Sequence, residues 1–231
     1  MDFGGYGWTL VRGFGVTLSV GFCSLAVATL IGFVVALMAL GPIHFLRVLA
    51  RGYTVVMRGI PELVLILLIY FGAATVIQRI VRALGGEFTD FRLDLSPFVA
   101  ATATLGMIYG AYMAEVFRGA IQSIPSGQIE AGRAYGMRRG VLFRFVVLPQ
   151  MMRFAFAGVG NVWLVLIKAT ALASAIQLPE LMRAAEIGAA ATRKPFNFYL
   201  AAAAMYLVIT AISLILVRII ETRAFRGEEV R

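Results

Sequence analysis

The sequence predicts an all-α membrane protein with five transmembrane helices and one cytoplasmic helix between the third and fourth spans. Three observations predict it. Of 231 residues, 61% are hydrophobic and 14% charged, with a mean hydropathy of +0.88; a soluble domain carries about 25% charge and about half apolar residues. The apolar residues gather in runs long enough to cross hydrocarbon, which takes about 20 residues of helix. The net charge of +9, from 21 basic and 12 acidic residues, falls between those runs, so it belongs to loops facing anionic lipid and cytoplasm and not to a nucleic-acid surface.

The spans follow in order within a single domain, 1–231. The first, 14–40, lies in a stretch without formal charge between Arg12 and His44. It is too long, and residues 1–12 are too poor in basic groups, for a cleaved leader. The second, 56–80, carries Arg58 and Glu62 near its start. The third, 96–117, belongs to a run opened by Leu95, between Asp94 and Glu115. The fourth, 154–177, contains Lys168, and the fifth is 196–220. With the N-terminus outside, 13 of the basic residues fall on inner segments, including Arg226 and Arg231, and 7 on outer ones, including Arg92. The positive-inside rule therefore puts the N-terminus in the periplasm and the C-terminus in the cytoplasm.

Several chemistries are excluded. Cys23 is the only cysteine, so the chain has no internal disulfide or thiolate cluster. His44 is the only histidine, which removes multi-histidine zinc sites and leaves surface placement as its default. Neither of the two lysines, Lys168 and Lys194, closes a phosphate-cradling Gly-x-x-x-x-Gly-Lys-Ser/Thr loop. This chain is not expected to hydrolyse ATP.

The one long cytoplasmic connection, 118–153, exceeds the usual loop length and points to function. Pro125 should stop the preceding helix, and Ser126 is placed to cap a new one by accepting a backbone N–H. Gln128 and Glu130 fall in its first turn, where the helix dipole favours a carboxylate. Gly136 supplies the left-handed residue that ends helices. The resulting short, exposed helix can lie on the headgroups or dock into another protein and transmit its movement.

The loop has a defined spacing: Glu130, Ala131 and Gly132, three residues, Gly136, nine residues, Val146, one residue, then Leu148 and Pro149. It resembles the signature of bacterial ABC importer permeases, with Gly132 in place of a second alanine. Segments 58–64, 109–119 and 161–170 look like the polar amino acid permease family, in its histidine/lysine/arginine/ornithine and opine branch. Ala157 stands where that pattern has a proline, so entry into the fourth span is expected to be less kinked. The resemblance implies a type I ABC importer permease of the bacterial inner membrane, with Glu130–Gly136 as a coupling helix seated on an ATP-hydrolysing subunit. It further implies two such subunits carrying ATP and Mg, and no cofactor in this chain. A second homologous permease, with a heterodimer favoured over a homodimer, and a periplasmic substrate-binding protein complete the assembly. The implied cargo is basic amino acids (histidine, lysine, arginine, ornithine); opines or neutral polar amino acids are the alternative.

Ionisable groups in hydrocarbon cost about 2.5 to 3.5 kcal/mol at mid-membrane, so they normally face a cavity or partner. Glu62, Glu115 and Lys168 qualify, and Glu62, Glu115 and Asn161 could share one layer in the inner half. Where this branch carries an acid at Glu62, relatives for neutral substrates carry leucine. That acid could meet a cationic substrate or pair with Arg58 four residues earlier. For Glu115, an interfacial pair with Arg118 is favoured. Lys168 shares a helix face with Asn161 and could neutralise a carboxylate. By resemblance Asn161, Lys168, Thr170 and Ser174 are pathway candidates, although Ala169 replaces the acid or serine common there. Tyr109 and Tyr112 could stack on a cation or anchor at the interface. Gly106 and Gly110 suit close helix approach. A secondary transporter or channel and a membrane scaffold are the rival functions, the first weakened by five spans without an evident internal repeat.

Overall fold

The computed structural model describes residues 3–83 and 96–225, and every regular element among them is helical. Asp94, Leu95, Arg92, Arg226 and Arg231 lie outside the described residues. Helix α1 (Gly7–Leu40) is a single rod that ends at Gly41. Its buried positions Gly13, Thr17, Gly21, Ser24, Ala28, Gly32 and Val35 recur at intervals of three and four, so small residues form one stripe. From Ser24 onward that stripe packs against α4 (Pro97–Gln122), a largely buried helix with a proline in its first turn, while Gly13 lies against Glu180 and Ala184.

Small residues let the two backbones approach, as membrane interiors require in the absence of a hydrophobic drive between helices. A Cβ at Gly106 would stand 2.5 Å from Val27 Cγ1, and one at Gly110 would meet both Ile31 and the Tyr53 hydroxyl at 2.9 Å. Positions 27 and 31 advance with 106 and 110, so α1 and α4 run parallel. Helix α7 (Leu148–Ala169) runs against them: Gly21 of α1 abuts Ile167, while Phe33 lies 6.3 Å from Phe143 just before α7. Helix α9 (Pro195–Phe225) is antiparallel to α7, with Gly160 against Val217 and Trp163 Nε1 donating to Ser213 Oγ at 2.9 Å.

Among the described residues four helical segments are long and apolar enough to cross a membrane by themselves: Gly7–Leu40, Pro97–Gln122, Arg139–Ile176 and Pro195–Thr222. The expected second span, 56–80, is instead two helices, α2 (His44–Gly59) and α3 (Glu62–Ala83), bent by 104° at the break. Pro61 lacks an N–H and disfavours the helical region for its predecessor, and Ile60 is extended (φ −102°, ψ 136°).

The loop expected over 118–153 is shorter. Helix α4 continues to Gln122, α5 spans Ser126–Ala134, and α6 (Arg139–Leu142) runs through a π-helical turn, Phe143–Val147, into α7. The π turn explains how helix continues through Pro149, whose ring and missing N–H disturb the preceding α-type turn. Beyond Ala169 the chain tightens into a 3₁₀ segment, Thr170–Ile176, before α8 (Leu181–Thr192).

Candidate functional site

The break at Ile60–Pro61 makes Glu62 the first residue of α3, at the positive end of that helix. Its Oε1 accepts the Tyr109 hydroxyl at 3.0 Å. Tyr109 is 1% exposed and stacks on Tyr112, ring centroids 5.5 Å apart and tilted by 29°. The Arg58 guanidinium lies over the opposite partner of that stack, 5.0 Å from the Tyr112 centroid. Beside them opens a cavity of about 320 Å³ lined by Thr54, Val55, Arg58, Gly59 and Tyr112. The alternative of a Glu62–Arg58 pair on one helix face is corrected here. The two residues stand on different helices, and the ion pairs among the described residues are Arg118–Glu115 and Arg183–Glu186. A carboxylate, a phenol and an aromatic face with one guanidinium already on it form a site of cation-recognising chemistry.

The other candidates stand apart from this cluster. Arg118 holds Glu115 through its Nε at 3.1 Å and through Nη2, the interfacial pair expected of it. Asn161, Val165 and Lys168 are exposed along one stripe of α7. Lys168 also lines a shallow cavity with Met182, Tyr199 and Tyr206. Thr170 is fully buried and its hydroxyl donates to the Ile167 carbonyl at 2.8 Å. Ser174 is half-buried, and its carbonyl accepts from Gln177 N–H.

The residues of the loop motif build a separate surface. Pro125, not Ser126, is the residue preceding α5, and no side chain caps that helix; Ser126 is its first residue. Its C-terminus is tightly closed: Gly136 has φ +75°, Gly136 N–H donates to Arg133 O at 2.9 Å, and Met137 N–H to Gly132 O at 3.1 Å. This is the double bond of a Schellman stop, which needs a residue tolerant of positive φ. Glu130 and Ala131 are exposed, whereas Gly132 is buried over Leu142. Leu148 is half-buried and Pro149 exposed. Through Leu142, α5 rests on the helix that becomes α7.

One acid escaped the sequence analysis. Glu180, in the connection between the 3₁₀ segment and α8, is fully buried and caps α8. It accepts from Met182 N–H and Arg183 N–H at 2.8 Å each, from Tyr206 Oη at 3.1 Å and from Thr17 Oγ1 at 3.4 Å. Burial pushes its carboxyl up to about 7, although these four donors favour the ionised form. The available signal was an acid directly before an apolar helix, in a position where a capping side chain is needed.

Compared with known proteins, residues 28–226 match the binding-protein-dependent transport system inner membrane components. The chain belongs to that family. It is 43% identical over 229 residues to the octopine transport system permease protein OccQ of Rhizobium radiobacter, covering 98% of this chain and 95% of the relative. It is 38% identical over 209 residues to the histidine/lysine/arginine/ornithine transport system permease protein HisQ of Escherichia coli (strain K12), covering 90% of each. Its fold matches a chain from a crystal structure of an amino acid ABC transporter with histidines, with a TM-score of 0.81 at 31% identity over 96% of this chain and 99% of that one. The resemblance to polar amino acid and opine permeases is thereby established. Within this inner membrane component, the Gly132 departure has a physical reason: a Cβ there would overlap Leu142 Cδ1, so glycine opens the notch that Leu142 fills.

Proposed function

We propose that this chain is the permease subunit of an ATP-driven importer of basic amino acids, working by alternating access coupled to a separate ATPase. The observation that carries the substrate class is the Glu62 carboxylate, held by the Tyr109 hydroxyl next to the Tyr112 ring. A guanidinium or ammonium would exchange its hydration for that carboxylate and aromatic face, opposite charge offsetting the desolvation of both groups. The relatives named for octopine and for histidine, lysine, arginine and ornithine point to the same class, and opines are the second reading because OccQ matches nearly the whole chain.

Five crossings, with the N-terminus periplasmic and the C-terminus cytoplasmic, fit the helix directions. Parallel neighbours α1 and α4 require a return crossing between them, which the α2–α3 pair supplies. The α3 rod of 22 residues is about 33 Å long and could span by itself. On this reading α5 is the coupling helix: Glu130, Ala131 and Gly136 meet an ATPase subunit carrying ATP and Mg, and Gly132, Leu148 and Pro149 relay its displacement to α7. Asn161 and Lys168 on the exposed α7 stripe face the pathway or a second permease chain, in a heterodimer; Ser174 lies at its outer end. Thr170 contributes packing, and Glu115 fixes Arg118 at the interface. A periplasmic substrate-binding protein delivers the cargo.

ATP-driven uptake of labelled arginine into proteoliposomes holding the complete assembly, with histidine, lysine, octopine and glutamine as competitors, tests the substrate class. Basic competitors should displace arginine and glutamine should not. Glu62→Gln should lower arginine uptake at least tenfold while the assembly still forms. Arginine uptake unchanged in that variant would refute the assignment.

A further inference from the structure

Helix α2 has three distinct faces. Ala50 is buried, and Tyr53 donates its hydroxyl to the Met107 carbonyl, which fixes one face to α4. Phe45, Val48, Leu49, Val55 and Val56 form a second face that none of the described residues covers; Phe45 and Val55 are each 71% exposed. Arg47, Arg51 and Arg58 recur at intervals of four and seven along a third. An apolar face flanked by a basic stripe is the pattern of a helix lying in the membrane–water interface. The 104° bend to α3 points the same way, since a helix turned this far from a spanning rod runs close to the membrane plane.

Beneath the basic stripe is a cavity of about 260 Å³ whose lining includes Arg51, Thr54, Glu115, Arg118 and Gln122. Its charges do not balance. Arg118 is committed to Glu115, and its Nη1 donates to Gln122 at 3.1 Å. The Arg51 guanidinium has no hydrogen bond or ion pair among the described residues. One turn earlier the Arg47 Nε is buried without an acceptor. The site thus retains a net positive charge and unused donors directly beside a lipid-facing apolar surface.

We propose that α2 is an interfacial helix whose Arg51 cavity binds the phosphate of an anionic phospholipid, with the acyl chains against the Phe45–Val48–Val55 face. Arg51 supplies planar donors that suit a phosphodiester, and Arg47 adds attraction along the same edge. The inference needs only that the chain resides in a bilayer. Its failure would leave the amino acid assignment intact, and failure of that assignment would leave this site intact.

Native mass spectrometry of the full chain, released from micelles containing equal amounts of phosphatidylglycerol and phosphatidylcholine with matched acyl chains, reads the site directly. Phosphatidylglycerol adducts should exceed phosphatidylcholine adducts severalfold. Arg51→Gln should cut that preference about fivefold, because one basic residue near an anionic surface contributes about 1 kcal/mol; Arg51→Lys should retain most of it. Equal binding of the two lipids by the unmodified chain, which requires no variant to fold, would overturn the proposal. So would an undiminished preference in Arg51→Gln, or displacement of phosphatidylglycerol by millimolar inorganic phosphate, which would identify a free-anion site.

Discussion

At Glu180 four donors from three helices converge on one carboxylate: the first amides of α8, Tyr206 of α9 and Thr17 of α1. The sign of its pH dependence follows from burial. A carboxyl raised from 4.5 to about 7 keeps its proton longer in the folded chain than in the unfolded one. The folded state therefore binds more protons across that window, and stability falls as pH rises from 4.5 to about 7, then levels off. Melting temperatures of the purified chain should show this decline, and Glu180→Gln should flatten it. Glu62, the other acid placed at a helix start, is only half-buried and has one hydroxyl partner. Tyr109→Phe should raise the apparent KM for arginine about fivefold, the loss of one hydrogen bond worth about 1 kcal/mol, with little change in assembly. Glu62 was legible because an acid inside an apolar run is costly and therefore conspicuous. Glu180 lies between apolar runs, where an acid looks ordinary, and only the folded chain shows that three helices close over it.

Helix α5 is specified by backbone chemistry more than by burial. Gly136 at φ +75° ends it, and Gly132 receives Leu142. Gly136→Val should weaken this stop by about 1–2 kcal/mol, the penalty of a left-handed conformation for an L side chain, and should speed amide exchange within Ser126–Ala134 while the global melting temperature stays nearly fixed. Gly132→Ala should overpack the notch, costing about 1–3 kcal/mol; Leu142→Val in the same chain should recover most of it by removing the methyl that collides. The helix and its glycine stop could be read from Pro125, Glu130 and Gly136. The boundary after it could not. The apolar run put the start of the fourth span at 154, whereas the π turn at Phe143–Val147 lets one rod run from Arg139 onward through Pro149. Similarly, 56–80 read as one span across Pro61, and the 104° redirection of α2 depends on how Ala50 and Tyr53 dock on α4.

Across the whole molecule the apolar runs were enough to give the all-helical class and to mark the four helices among the described residues that are long and apolar enough to cross a membrane, since a run inside lipid must hide its backbone polar groups in a helix. Their packing was less legible. Gly106 and Gly110 marked a close approach, but spacing alone does not say that Val27, Ile31 and Tyr53 fill the space. Gly106→Leu should separate α1 from α4 and lower the melting temperature sharply, with partial rescue by Val27→Ala. The layer expected from Glu62, Glu115 and Asn161 was a depth estimate along each helix. Depth does not fix azimuth, and Asn161 stands on the exposed stripe of α7 with Val165 and Lys168. On the proposed function, that stripe and the exposed part of α5 are the two surfaces open to partners. The most direct test of coupling is uptake in proteoliposomes with Ala131→Arg, a change at an exposed position of α5 that leaves the spans untouched. ATP-driven arginine uptake should fall more than tenfold while helicity and melting temperature of the chain hold steady; uptake equal to that of the unmodified chain would contradict a coupling role for α5.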